Sequence, residues 1–156
     1  MLKALCFPAH ARTSLQIFGE GEDLEELLRF SKRNNLLGRV RFNGFSNDIG
    51  SHYRRADLLV LPSLYEGSPN VVAEALAHGI PALVSRIPPH TVTFGKGEVH
   101  FFEVENETDL ALQLQKISES RPILLPESAI EFVTQRSPRM LADQYREIYS
   151  ETIRNG

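Results

Sequence analysis

Short apolar runs alternate along the chain with stretches in which apolar residues recur every three or four positions. Residues 15–18 (Leu-Gln-Ile-Phe) predict a short buried strand, closed by Gly19-Glu20-Gly21. In residues 22–34, Leu24, Leu27 and Leu28 fall at helical spacing. Acidic residues open that stretch and Lys32 and Arg33 close it, so both ends suit the helix dipole. Residues 40–42 predict a second strand, 48–55 a short helix, and 57–61 (Asp-Leu-Leu-Val-Leu) the third and most apolar strand. Residues 69–78 predict the next helix, with Ser68 as N-cap, Pro69 at the first helical position and Gly79 at a left-handed C-cap ahead of Pro81. Residues 82–84 and 99–102 predict the fourth and fifth strands. Residues 108–117, 127–134 and 138–154 read as helices, and residues 87–97, with Pro88, Pro89, Gly95 and Gly97, as the longest irregular stretch.

Strand–helix alternation with nearly continuous apolar strands predicts an α/β fold: a Rossmann-like parallel sheet with helices on both faces. No repeat, low-complexity tract or linker divides residues 1–156, so one domain is expected. In open sheets of this kind ligands bind beyond the carboxyl ends of the strands. Residues 19–21, 44–47, 62–70 and 85–90 are therefore the segments to watch.

Composition narrows the function without naming it. Lys and Arg number 17 against 20 Asp and Glu, a net charge of −3, which argues against a nucleic-acid-binding module. No apolar run approaches the roughly 20 residues of a membrane helix. Residues 1–9 carry a single charge, Lys3, and are too short for a signal peptide. A lone cysteine, Cys6, excludes an internal disulfide and a cysteine-built zinc site, and favours a reducing, cytoplasmic setting. His10, His52 and His100 show no metal-ligand spacing.

Residues 61–76 (Leu-Pro-Ser-Leu-Tyr-Glu-Gly-Ser-Pro-Asn-Val-Val-Ala-Glu-Ala-Leu) carry the chemistry. They run from a strand end through a turn into a helix, where unpaired amides and the positive helix end suit an anion such as a diphosphate. Gly67 allows close approach to the backbone, and Pro69 pre-sets the first turn. Glu66 precedes the helix and Glu74 lies within it, roughly 7–8 Å along the axis from Pro69. Glu74 is expected at the flank of the apolar stripe of Val71, Val72, Ala75 and Leu76, beside the cleft rather than fully in water. Carboxylates repel phosphate, so their targets should be neutral donors on either side of it. Sugar hydroxyls qualify, because one carboxylate can accept two hydrogen bonds from a diol. A nucleoside diphosphate sugar has this layout, with Glu66 on the sugar and Glu74 on the ribose.

This segment, continued through Ala75-Leu-Ala-His-Gly-Ile-Pro81, resembles the Glu-x7-Glu signature of the retaining GT-B glycosyltransferases, the class of glycosyl transferases group 1. Leu15-Gln-Ile-Phe-Gly-Glu-Gly, Val40-Arg-Phe-Asn-Gly-Phe, Ala56-Asp-Leu-Leu-Val-Leu-Pro-Ser and Ser85-Arg-Ile-Pro-Pro-His match the same pattern in order. The resemblance implies one half of a GT-B fold, the C-terminal donor-binding domain, and hexosyl- or mannosyltransferase-like activity in polysaccharide or glycolipid synthesis. By resemblance, Glu66 contacts the donor sugar at the reacting end as the catalytic residue. Gly67, Ser68, Pro69, Asn70 and Val71 cradle sugar and phosphate, and Glu74 holds the ribose. Gly44, Phe45 and Ser46 line the nucleobase, while Gly19 and Gly21 border the cleft. No cofactor is implied beyond the nucleotide-sugar donor. The helix dipole and basic side chains would neutralise the leaving diphosphate without metal.

Two departures qualify the resemblance. The acceptor-binding domain and the donor domain's opening strand, with its Arg/Lys loop, have no counterpart, so a truncated or split enzyme that lacks turnover alone is expected. Residues 1–9 look like the tail of the helix after that strand, and loss of a central strand should leave unpaired backbone or a rearranged sheet. Thr91-Val92 also follow His90 where relatives often carry Arg-Glu. The acceptor, a glycan or glycolipid, would meet the missing domain or a separate subunit, with the full enzyme peripheral at the inner membrane face. The alternative reading is a non-catalytic pseudoenzyme or interaction subunit that docks through the final helix, on a stripe of Leu141, Tyr145, Ile148 and Tyr149. A dinucleotide binder is disfavoured because Leu24 stands where a third glycine belongs. His78 and His90 read as structural, Arg41, Arg54 and Arg55 as solvated, and Lys96 as a solvated loop lysine.

Overall fold

Each apolar run forms a strand, and every pairing is parallel. In the computed structural model of the chain, residues 1–95, 97–120 and 123–136 are described. Strand β1 (Leu15–Ile17) pairs with β2 (Val40–Phe42) through the crossover helix α2 (Leu24–Arg33). Strand β3 (Leu59–Leu61) pairs with β4 (Ala82–Ser85) through α4 (Asn70–Ala77). Strand β4 pairs with β5 (His100–Phe102) through α5 (Pro88–Thr93). The short helix α3 (Ile49–Tyr53) links β2 to β3, α1 (Leu2–Leu5) precedes β1, and α6 (Glu107–Glu119) and α7 (Glu127–Gln135) follow β5.

The single sheet expected from the pattern is divided in two. Strands β1 and β2 form one sheet and β3, β4 and β5 another, with no ladder between β1 and β3. Successive residues of a parallel strand direct their backbone groups to opposite sides. The Leu59 amide bonds the Pro81 carbonyl at 3.0 Å, so Val60 faces the free edge of β3. The Leu15 amide bonds the Arg39 carbonyl at 2.8 Å, which leaves Gln16 on the free edge of β1.

The larger sheet has helices on both faces. Along β4, Ala82 and Val84 pack with Val72 and Leu76 of α4, Phe94, and Ala129 and Phe132 of α7. Leu83 points the other way, onto Ala4 of α1 and Leu110, Leu114 and Ile117 of α6. The smaller sheet is covered on one face, by Leu2, Leu5, Phe30 and Leu36 against Leu15, Ile17, Val40 and Phe42. Its other face carries Gln16 and Arg41, both exposed. The apolar–polar alternation of Leu-Gln-Ile and Val-Arg-Phe is the period of a half-buried strand. Helix α1 thus reaches both sheets, with Leu2 and Leu5 on the smaller and Ala4 on the larger. Arg39 ties the same region down, donating to the carbonyls of Leu5 at 2.6 Å, His10 at 2.9 Å and Thr13 at 3.1 Å.

Three expectations need correction. Leu24, Leu27 and Leu28 of α2 are 40%, 36% and 40% exposed, and the buried residue of that helix is Ser31. Of this helix, Phe30 packs on the core of the small sheet. Residues 87–97 are not irregular throughout. Pro88 and Pro89, with φ preset, occupy the first turn of α5 after an extended Ile87. At α4, Pro69 is the N-cap rather than the first helical residue, and Ser68 makes no capping bond to the helix; its hydroxyl donates to Asn70 Oδ1 at 2.9 Å. The predicted helix 138–154, its aromatic stripe and Lys96 lie outside the described residues.

Candidate active site

The carboxyl ends of β1 and β2 meet directly. The Gly19 amide donates to the Gly44 carbonyl at 2.8 Å. Both glycines have positive φ, +113° and +64°, the region where a side chain is strained. Phe45, next in the chain, is 72% exposed. The Ser46 hydroxyl accepts from the Asp48 amide at 3.3 Å, and Asp48 caps α3 by accepting from the Ser51 amide at 3.1 Å. That bond holds the Asp48 carboxyl below its ordinary value of 3.8.

Helix α3 connects these turns to α4. The Phe18 ring lies 4.5 Å from His52, and the Tyr53 ring 5.1 Å from His78. The Tyr53 hydroxyl donates to the Val71 carbonyl at 3.3 Å, at the first turn of α4. Burial, and secondarily the Glu74 carboxylate, push the Tyr53 phenol up. Glu74 itself is exposed rather than sheltered at the cleft wall as expected.

The loop between β3 and α4 holds the other acid. Glu66 is half-buried, and its Oε1 accepts from the Ser63 hydroxyl at 2.6 Å. Around it the loop is open: Leu64 is 60% and Tyr65 86% exposed, and a Cβ added at Gly67 would meet nothing within 4 Å. Gly67 has no positive φ, so its lack of a side chain leaves space rather than relieving strain. The Asn70 amide bonds the Ser68 carbonyl at 2.9 Å and the Val72 amide the Pro69 carbonyl at 3.0 Å, which turns the chain tightly into the helix.

Glu66, Gly67, Ser68, Pro69, Asn70 and Val71 form one continuous turn at the tip of α4, with Glu74 one helical turn beyond Val71. Gly19 and Gly44 are brought together by hydrogen bonding, with Phe45 and Ser46 next to them. Gly21 has neither positive φ nor a close neighbour at its Cβ position. Sequence reasoning passed over Tyr53, which touches the turn of Val71, and Ser63, which holds Glu66. Ser63 stood inside the diagnostic segment, so its hydroxyl three residues before an acid was the available signal. His90 is fully buried and His78 caps the end of α4, its Nδ1 donating to the Glu74 carbonyl at 2.8 Å; both are structural. Arg41, Arg54 and Arg55 are exposed. Among the described residues no group of three or more His, Cys, Asp or Glu side chains is clustered to hold a metal ion. None of the helices among them is long and apolar enough to cross a membrane.

The chain is similar in sequence and fold to known proteins. The sequence profile of Glycosyl transferases group 1 matches residues 2–136. EpsF of Bacillus subtilis is 38% identical over 88 residues, 56% of this chain and 23% of that protein. The UDP-Gal:alpha-D-GlcNAc-diphosphoundecaprenol alpha-1,3-galactosyltransferase of Escherichia coli is 39% identical over 72 residues, 46% of this chain and 19% of that one. Among solved structures, HepE of Anabaena in complex with UDP and glucose superposes with a TM-score of 0.80 at 21% identity, covering 95% of this chain and 44% of that one. A glycosyltransferase from Rickettsia africae superposes with a TM-score of 0.86 at 17% identity, covering 99% and 44%. The chain thus spans less than half the length of these proteins.

Proposed function

Because the chain belongs to the family Glycosyl transferases group 1, we propose that it is the C-terminal, donor-binding domain of a glycosyltransferase, holding a nucleoside diphosphate sugar above the strand ends. The observation that carries this reading is the pair of acids at the start of α4: Glu66 in the loop before it and Glu74 one turn past Val71, with the open Gly67 turn between them. The diphosphate sits at the helix tip, where first-turn amides and the helix dipole favour negative charge. Glu66 accepts from hydroxyls of the sugar at the reacting end, and Glu74 from the ribose. The turn of Gly44, Phe45 and Ser46 takes the base, with the exposed Phe45 ring offering a stacking face. Gly19 and Gly21 border the groove.

Transfer in the complete enzyme proceeds with retention and without metal. The protein's contribution is to position the sugar and to stabilise charge on the departing diphosphate. The acceptor, a glycan or glycolipid, is presented by a further domain or subunit, and the described residues alone bind donor without turning it over. Uridine is the base to test first, since HepE was solved with UDP and glucose and the Escherichia coli relative is named for UDP-Gal.

Isothermal titration with UDP, UDP-glucose and UDP-galactose tests the reading. Loss of a hydrogen bond to a charged group is worth about 1.5–3 kcal/mol, so Glu74→Ala should weaken UDP binding roughly 10-fold or more. Glu66→Ala should spare UDP and remove the extra affinity contributed by the sugar. A well-folded sample that binds none of the three at millimolar concentration refutes the assignment.

A further inference from the structure

We propose that Ser63 and Ser85 are positioning residues that fix the Glu66 carboxylate from the interior of the larger sheet; this rests on the reading of Glu66 as the group that meets the donor sugar. A serine hydroxyl has one proton to give. Ser63 spends its proton on Glu66 Oε1, at 2.6 Å. The Ser63 carbonyl accepts in turn from the Ser85 hydroxyl, also at 2.6 Å. Ser85 is the last residue of β4 and has no exposed surface. Its own carbonyl accepts from the Ile87 amide at 2.9 Å and from His90 Nδ1 at 2.7 Å. A carbonyl cannot donate, so that contact assigns a proton to Nδ1, while Nε2 of the buried ring has no hydrogen-bond partner among the described residues. The longer approach of His90 Nδ1 to the Ser85 hydroxyl, 3.5 Å, is secondary because the hydroxyl proton is already committed.

The bonds run in one direction, from α5 to β4, from β4 to the loop after β3, and from that loop to the acid. Each donor is used once. The anchor end is the most buried strand among the described residues, where Ala82, Leu83, Val84 and Ser85 all have 0% exposure. The free end is an acid in a loop whose neighbours Leu64 and Tyr65 lie open to solvent. Without Ser63, nothing else among the described residues bonds the Glu66 side chain. Ser63 engages Oε1 and leaves Oε2 to accept from a sugar hydroxyl. The loop therefore presents one oxygen at a fixed height above β3 and β4 instead of a mobile carboxylate, and most of the positional entropy is lost before ligand arrives.

The test uses the full chain with UDP-glucose and UDP as probes, Ser63→Ala, Ser63→Thr and Ser85→Ala as variants, and the Glu66 side-chain 13C carboxyl resonance as a ligand-free readout. Ser63→Ala should weaken UDP-glucose about 10-fold and leave UDP unchanged, and Ser63→Thr, which keeps the hydroxyl, should restore the difference. In the free protein the Glu66 resonance should move in both alanine variants. Should Ser85→Ala fail to fold, Ser63→Ala and Ser63→Thr decide alone. Equal weakening of both ligands by Ser63→Ala, no weakening of either, or an unmoved Glu66 resonance overturns the positioning role while donor binding stands. A wild-type chain that binds neither probe overturns the donor reading instead, and with it the role of these serines toward the sugar.

Discussion

Asp48 ends the loop after β2 and opens α3, accepting the Ser51 amide with its own carboxylate. Because that bond and the Ser51 hydroxyl hold its folded-state carboxyl below 3.8, its stabilisation is complete above that pH and disappears as pH falls through the folded value. Asp48→Ala should therefore lower the urea midpoint at pH 7, and the gap to wild type should close in acid, as pH falls through that folded-state value. Parallel denaturation curves at pH 7 and in acid check this; a gap that persists in acid would mean the carboxylate is not the cap. At this scale the positions of Glu66, Gly19 and Gly44 were legible because short-range rules place them, an acid before a helix start and a glycine after a strand, whereas the exposure of Glu74 was not. Tyr53 and Ser85 were not, because their partners Val71 and Ser63 stand 18 and 22 positions away. Hydrogen bonds between loops of different strands leave no periodic trace in the chain.

Helix α4 was the most legible element, and its end is the clearest part of it. The Ile80 amide bonds the Ala75 carbonyl and the Gly79 amide the Leu76 carbonyl, both at 2.9 Å, with Gly79 at φ +78°. This is a Schellman stop, and it needs a left-handed residue. A Cβ at Gly79 would meet nothing within 4 Å, so Gly79→Ala should cost only the conformational term, about 1–2 kcal/mol, read as a lower urea midpoint at unchanged slope. Gly67→Ala is the contrast: with ordinary φ and open space it should leave stability within about 0.5 kcal/mol while weakening UDP-glucose binding. Helix α5 was missed because Pro88-Pro89 reads as a breaker when it also starts helices. The leucines of α2 fall at helical spacing yet are 36–40% exposed, because periodicity reports which residues share a face, not whether anything covers it.

At the scale of the molecule, the five strands among the described residues and their parallel sense followed from alternation of apolar runs and helices. The division into two sheets was legible only as an expected loss of pairing, since periodicity carries no information about which strands become neighbours. Native-state hydrogen exchange should register it. Amides of Leu83 and Val84, inside a three-stranded sheet and fully buried, should exchange roughly 100-fold more slowly than those of Gln16 and Val60 on the free edges. Uniform protection across β1, β3 and β4 would mean that the edges are paired in solution.

The candidate ligand surface draws on both sheets, with the Gly19 and Gly44 turns from one and the Glu66 loop from the other. Backbone ladders hold each side internally but do not cross the seam, which is fastened by the side chains of α1 below and of Phe18, His52 and Tyr53 above. Sliding along such a seam breaks no ladder between strands, but it strains the Tyr53–Val71 and His10–Ala111 hydrogen bonds along with the packing. The separation of the Gly19 and Gly44 turns from the Glu66 loop is consequently set by side-chain contacts across the seam, not by a strand ladder.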